Sequence, residues 1–510
     1  MNAWNEGYFT DSTYTYGYYR ELSPNYMRWC LLVNGIAAPE LTAESCHCEL
    51  GYGQGVSANI HAAATPGKYF GTDFNPAHAA HANELVKASG ADAKFFEDSF
   101  EEFSKRDDLP QFDSIGFHGI WTWISAENRR HMLEVARQHL KSGGMVYNSY
   151  NCLPGWAPNA PLRELLTLYF KQLPEGNTDK RVAQTMKFVE EMIAAEPAYL
   201  KIAPRFKPMF DQIKTQNAHY IAHEYLNLDW DLMYFVDVAE QCQEAKLDFA
   251  ATALPTEANP MYLPPKTREF LLKVENPIMR EQLRDYFINR QFRMDLFVRG
   301  VRRLTPTEVN DKLLSTRYVL TKPAAEVPMR AAVSMGEIIL SDAVYRPLLE
   351  YLQEDGFRPK DLTEYVMRSK SDPRAIVEAI TVMVHAQHVM PCQSEAAVKL
   401  VKKSCDRLNA YLCERAVFDN SIGFLASPLT GCGAGVDRFR QMFLAQYKKG
   451  EKTSDRMAEA IWKIISRQGQ MLVHNGKRLD TPAENLAQLK NLTEHFLTAE
   501  LPILKALLIA

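Results

Sequence analysis

The sequence has no apolar run approaching the roughly 20 residues that a membrane helix needs. Its opening residues, Met1–Glu6, carry neither a basic start nor an apolar stretch, so no secretory signal is expected. There is no CxxC pair, and the nine cysteines are scattered along the chain. That distribution argues against a disulfide framework and for reduced thiols in the cytoplasm. The 13 histidines form no HExxH or finger pattern, so no metal centre is expected. Charge of one sign is also missing: 58 basic against 62 acidic side chains leave a net charge of −4. This balance gives no global attraction to nucleic acid or to an acidic membrane, and neither is expected as a partner.

What is present is a long chain of 510 residues with the periodicity of an α/β protein in its first third. At this length two to four domains are expected. Short apolar runs at Cys46–Leu50, Tyr69–Asp73, Lys94–Phe96, Ser114–Phe117 and Met145–Tyr150 predict strands, and the segments between several of them predict helices. Pro76 after Asn75 and Ala126 after Ser125 are good helix starts. Alternation at this spacing implies a mostly parallel, doubly wound sheet. The pattern predicts two helices within residues 157–216 as an insertion, then two last strands at Tyr220–Leu226 and Leu247–Ala251. Residues 257–329 read as a charged helical middle region, and 330–510 as a mainly helical domain. Short helices near 342–387 and a hairpin around Asn475-Gly476 suggest a winged-helix-like arrangement there. The expected fold is thus a Rossmann-like, seven-stranded sheet drawn from residues 1–156 and 217–256, followed by the helical regions.

The chemistry concentrates in Glu49-Leu50-Gly51-Tyr52-Gly53-Gln54-Gly55, on a strand-to-helix turn. Glycines there let the chain turn sharply and let a ligand approach main-chain N–H groups. A nicotinamide site prefers GxGxxG and a phosphate loop needs GKS or GKT; this stretch is GxGxG. An acid two residues before the first glycine fits a turn that meets the methionyl end of S-adenosyl-L-methionine, with Glu49 acting on its ammonium group. Asp73 ends the second predicted strand, 24 residues after Glu49, where a carboxylate accepts from ribose hydroxyls. Asp98 and Ser99, after the third strand, are placed to bind the adenine amino group.

Phe117, His118 and Trp121 lie at the exit of the fourth strand, and ligands of open α/β sheets sit at the carboxyl ends of strands. His118 is the natural general base if the nucleophile is a hydroxyl. Tyr150 and Asn151, ending the fifth strand, are expected to line a substrate channel. The dense tyrosines Tyr14, Tyr16, Tyr18 and Tyr19 read either as a lid, with Tyr16 over the cofactor, or as packing for the first helix.

Taken together, Glu49–Gly55, Phe117–Trp123, Ser149–Trp156, His223-Glu224-Tyr225-Leu226 and Tyr286–Arg293 resemble bacterial class I methyltransferases that carry a methyltransferase regulatory domain. The resemblance covers residues 12–300 well and extends to rickettsial protein lysine methyltransferases. It implies S-adenosyl-L-methionine as methyl donor, transfer to a protein lysine, and a homodimer. A glycan or small molecule is the alternative substrate, and a scaffold that binds S-adenosylmethionine or nucleic acid without catalysis is a third reading. The chain departs from that group in Tyr14–Pro24 and in Tyr52, where a small or sulfur-bearing residue is usual.

Overall fold

The computed structural model describes residues 16–510 apart from 175 and 228. Tyr14 therefore lies outside the described residues. Seven strands form one sheet: β1 Cys46–Leu50, β2 Lys68–Thr72, β3 Ala93–Phe96, β4 Phe112–Phe117, β5 Leu140–Asn151, β6 Asp248–Thr252 and β7 Phe292–Val298. Their spatial order is β3-β2-β1-β4-β5-β7-β6. β3, β2, β1, β4 and β5 run parallel, while β7 is antiparallel to both β5 and β6.

The helices of this half are α1 Pro24–Val33, α2 Val56–Ala64, α3 Pro76–Ser89, α4 Phe100–Ser104 and α5 Ala126–His139. Asn75 caps α3 by accepting from the Ala77 N–H, and Ser125 caps α5 by accepting from the Asn128 N–H, as their positions predict. Gly143 and Gly144 do not end α5; they lie inside β5, which begins directly at Leu140.

Two corrections concern the last strands. The segment expected as a strand at Tyr220–Leu226 is helical, part of Ala218–Tyr225, capped by the Asn217 side chain on the Tyr220 N–H. The strand that completes the sheet is β7, inside the stretch expected to be wholly helical. Its charged residues Arg293 and Asp295 are fully buried because they neutralise one another. The sheet thus draws on residues up to 298.

Between β5 and β6 the chain forms α6 Ala160–Gln172, α7 Thr178–Ala194, α8 Tyr199–Ile202, α9 Phe206–Lys214, α10 Ala218–Tyr225 and α11 Phe235–Glu244. Helices α6, α7, α9 and α10 share a small apolar core of their own around Leu166, Met186, Phe210 and Ile221. A much larger core joins one face of the sheet, through Met145, Tyr147 and Leu296, to the C-terminal half. That half is mainly helical, with the expected helices at Asp342–Phe357, Thr363–Ser369 and Pro373–His385. The hairpin at Val473–His474 and Lys477–Arg478 is present, but it separates two later helices, Ser454–Arg467 and Pro482–His495, that pack on each other. Of the three earlier helices, Asp342–Phe357 and Pro373–His385 instead border a two-stranded pair, Tyr318–Leu320 with Val389–Pro391.

Residues 16–23 strap these halves together. The Tyr18 hydroxyl accepts from the Gly433 N–H at 2.5 Å, Arg20 donates to the Val384 carbonyl, and Ser23 donates to the Gly431 carbonyl.

Candidate active site

The alternation of β-strands sorts the site residues. Successive side chains point to opposite faces, so Cys48, Val146, Tyr150 and Phe297 enter the core on one side of the sheet. Glu49, Tyr147, Ser149 and Phe292 fall on the other side, where the strap and α1 pack.

The turn after β1 takes its shape from left-handed glycines, with φ of 69° at Gly51, 56° at Gly53 and 70° at Gly55. A Cβ at Gly55 would lie 2.6 Å from the Ala82 Cβ, so the close approach of α2 to α3 also demands glycine there. The Gly53 N–H donates to Asp73 Oδ2 at 2.8 Å. Asp73 Oδ1 accepts from the Asn75 N–H and lies 3.0 Å from His78 Nδ1, which holds the carboxylate at the lip of β2.

Glu49 is buried, and its Oε2 has no hydrogen-bond partner among the described residues. Burial first, and the charge of Asp73 second, push its pKa up to about 8. An unpaired buried carboxyl costs free energy unless a cation meets it. The ammonium of a bound S-adenosylmethionine is such a cation, and the Gly-rich turn leaves main-chain room beside it. Asp98 follows β3, with its carboxylate on Arg106 at 2.9 Å and its N–H on the Thr72 hydroxyl. Ser99 caps α4: its hydroxyl accepts from the Glu102 N–H while Glu102 accepts from the Ser99 N–H, so this side chain serves the helix end.

His118 lies at the exit of β4. Its Nδ1 is 2.8 Å from Tyr147 Oη and 3.0 Å from Ser149 Oγ, and the Gly119 N–H donates to Ser149 Oγ at 2.8 Å. The imidazole is packed against the Tyr19 ring, with centroids 3.7 Å apart, and against Tyr147 and Phe292. Burial lowers its pKa to about 3, so the ring is neutral near pH 7. The Tyr19 N–H donates to Ser57 on α2, which fixes the strap over the first turn of that helix. The Tyr19 hydroxyl is raised above its ordinary pKa by burial, then by the charge of Glu224 and then by that of Glu49.

Tyr16 does not reach Glu49 or His118 through any contact of its ring; it stands edge-on to His81 at 5.2 Å and near Arg415. His81 in turn contacts the Gln54 carbonyl at 2.7 Å, placing Tyr16 one layer outside the glycine turn.

Other expected residues face away. Tyr150 is fully buried on the far face and donates to Asp295 at 2.7 Å. Phe117 and Trp121 stack on each other in that same core, with centroids 5.6 Å apart. The alternation that puts Tyr150 there leaves Asn151 in register with Phe292, on the His118 side. Tyr147, Ser149 and Phe292 complete the site without having been selected from the sequence. Counting by twos back from Asn151 finds Ser149 and Tyr147; Phe292 required the position of β7.

Comparison with known proteins bears on this geometry. Residues 48–144 match the family model described as a methyltransferase domain, and 217–299 match a predicted methyltransferase regulatory domain. An uncharacterized protein of Synechocystis sp. is 37% identical over 99% of each chain. One from Rickettsia prowazekii is 26% identical over 63% of this chain and 59% of its own. Among solved structures, PKMT2 from Rickettsia typhi in complex with AdoHcy has a TM-score of 0.69 and 18% identity, covering 95% of this chain and 98% of that one. Its structure without that qualifier gives a TM-score of 0.68 and 17% identity, covering 97% and 99%. The chain belongs to the class I S-adenosylmethionine-dependent methyltransferases that carry a methyltransferase regulatory domain.

Proposed function

We propose that this methyltransferase modifies the side-chain amine of lysine in protein substrates. The observation that carries the reading is the state of His118. An O-methyltransferase acting on a hydroxyl needs a general base whose pKa lies near the working pH. Burial holds the imidazole at about 3, far too weak for that task. A lysine amine needs no such partner once it is neutral, because its own lone pair is the nucleophile.

The difficulty is the proton. With a reference pKa of about 10.4, freeing the amine at pH 7 costs about 4.6 kcal/mol. A desolvating aromatic wall reduces that cost by disfavouring the ammonium form. Tyr19, His118, Tyr147 and Phe292 form such a wall. Bound S-adenosylmethionine supplies an activated methyl group on a sulfonium. Glu49 would hold the ammonium at its methionyl end, Asp73 its ribose and Asp98 its adenine. His118, fixed by Tyr147 and Ser149, positions the wall and excludes water.

The likeness to PKMT2 of Rickettsia typhi, solved with AdoHcy, supports the same donor, and the sequence resemblance to rickettsial protein lysine methyltransferases supports the acceptor. The nine cysteines are free and buried, which supports a reducing cytoplasm as the working compartment. No described helix is long and apolar enough to cross a membrane.

The deciding experiment is transfer of labelled methyl from S-adenosylmethionine into a bacterial lysate, followed by mass spectrometry. A shift of about +14 on lysine-containing peptides supports the proposal. Label recovered only in soluble saccharide or a small metabolite overturns it.

A further inference from the structure

The Gly51–Gly55 turn is held through both its N–H and its C=O groups. Gly51 donates to the Thr72 carbonyl at 2.8 Å, Gly53 to Asp73, and Gly55 to the Tyr52 carbonyl at 2.9 Å. The Gln54 carbonyl lies 2.7 Å from Nδ1 of His81, on the second turn of α3. The peptide between Gln54 and Gly55 is thus fixed at its oxygen by α3 and at its nitrogen by Tyr52. Glycine-rich backbone left free samples many conformations. Each such hold therefore lowers the ordering that binding of a ligand must impose.

His81 is itself held from the C-terminal half. Its Nε2 lies 2.9 Å from Nη1 of Arg415, the last residue of the helix Glu395–Arg415. A carbonyl only accepts and a guanidinium only donates. The two partners therefore demand one state of the ring, neutral with its proton on Nδ1. Arg415 is aimed by Asp419, with Nε donating to Oδ2 at 2.8 Å, and Asp419 accepts in turn from the Ser421 N–H and hydroxyl. The Tyr16 ring covers this junction, edge-on to His81 at 5.2 Å and with the Arg415 guanidinium 5.9 Å over its face. The same helix grips the catalytic half elsewhere. Ser404 donates to the Ala63 carbonyl at 2.7 Å and Arg407 to the Lys87 carbonyl at 3.3 Å. Those contacts lie at the C-terminal ends of α2 and α3, whereas Arg415 reaches the end that carries the turn.

We propose that Arg415 is a positioning residue for the methyl donor: through His81 it holds the Gln54 carbonyl, and with it the Gly51–Gly55 turn, in the shape that receives S-adenosylmethionine. The helical C-terminal half thereby acts on donor binding through two hydrogen bonds in series. The assignment concerns the donor and holds whichever acceptor is methylated.

The test titrates the full chain with S-adenosylhomocysteine by calorimetry. Arg415→Met removes the donor to His81, and His81→Ala removes both hydrogen bonds of the ring. Each is expected to weaken binding about five- to tenfold. The double variant should lose no more than His81→Ala alone, because the two residues act in series. Ser404→Ala removes a hydrogen bond of the same helix at the far end of α2 and is expected to bind as wild type does. Both substituted positions of the pair are partly exposed, so these variants are expected to melt within a few degrees of wild type. Methyl transfer to lysate protein gives a second readout. Arg415→Met should raise the KM for S-adenosylmethionine and keep kcat near wild type, whereas a general loosening of the interface would lower kcat as active protein is lost. Wild-type affinity in Arg415→Met or in His81→Ala overturns the assignment. So does a double variant whose loss is the product of the two single losses, an equal loss in Ser404→Ala, or a fall in kcat at unchanged KM.

Discussion

The rings of Tyr19 and His118 lie 3.7 Å apart, centroid to centroid, and join the strap before α1 to the exit of β4. The strap is anchored in the C-terminal half by Tyr18 and Arg20, so the same few residues connect that half to the reaction zone. An aromatic pair of this kind contributes about 0.5–1.5 kcal/mol beyond its area. Tyr19→Ala is expected to lower kcat about tenfold, with a smaller effect on cofactor affinity, and Tyr19→Phe to retain most activity. Steady-state kinetics on a labelled protein substrate checks this; an alanine variant with wild-type kcat would show that the pair only packs.

Asp73 makes a charge-assisted hydrogen bond to the Gly53 N–H and so holds the glycine turn as well as its own place at the lip of β2. Hydrogen bonds to charged groups are worth about 1.5–3 kcal/mol each. Asp73→Ala is therefore expected to weaken S-adenosylmethionine binding about 10- to 100-fold by calorimetry. Unchanged affinity would place the ribose elsewhere.

Glu49 links cofactor binding to pH. Its folded pKa of about 8 lies above the ordinary value of 4.5. Between those values the folded protein keeps a proton that the unfolded chain has lost, so the stability of the cofactor-free protein falls as pH rises through this window. Binding an ammonium favours the ionised form, so cofactor affinity is expected to rise from pH 6 to 8. Glu49→Gln should flatten the pH dependence of the melting temperature and remove the rise in affinity. A variant whose melting temperature follows the wild-type slope would contradict the burial of this charge.

Gly55 combines a φ of 70° with a neighbour that leaves no room for a Cβ. Gly55→Ala meets both penalties, strain in the left-handed region and overpacking against α3, and is expected to cost about 2–4 kcal/mol. Urea denaturation reads this directly, and a loss under 1 kcal/mol would mean that α3 yields easily.

Much of this was legible in the residues. β1 to β5 are short apolar runs punctuated by Gly, Pro and helix caps, and the GxGxG turn with Glu49 and Asp73 lies on local signals alone. β7 was not legible because Arg290, Arg293 and Asp295 look like the wet face of a helix until their partners are known. Those partners, Asp285, Glu281 and Glu257, arrive from other elements. At α10 the apolar residues of Tyr220–Leu226, interrupted by His223 and Glu224, span too short a stretch to separate the two periods. Tyr150 is adjacent to Asn151 at the strand end, but the two-residue alternation already puts Tyr147 and Ser149, not Tyr150, on the crevice side.

That reassignment of Tyr150 makes a sharp prediction. Arg293 is fully buried with Asp285 at 2.6 Å and Asp295 at 2.7 Å, and Tyr150 donates to the same Asp295. Tyr150→Phe removes one hydrogen bond while Arg293 still holds the acid, so it should cost about 1–2 kcal/mol of stability and leave kcat near wild type. Arg293→Met leaves buried Asp295 without a cation and Asp285 with Arg290 alone, and should cost about 3–5 kcal/mol, seen as a lower urea midpoint with an unchanged slope. If Tyr150→Phe instead lost methyl transfer without losing stability, the far face of β5 would have to reach the substrate, and the division of this sheet into a reactive and a structural side would fail.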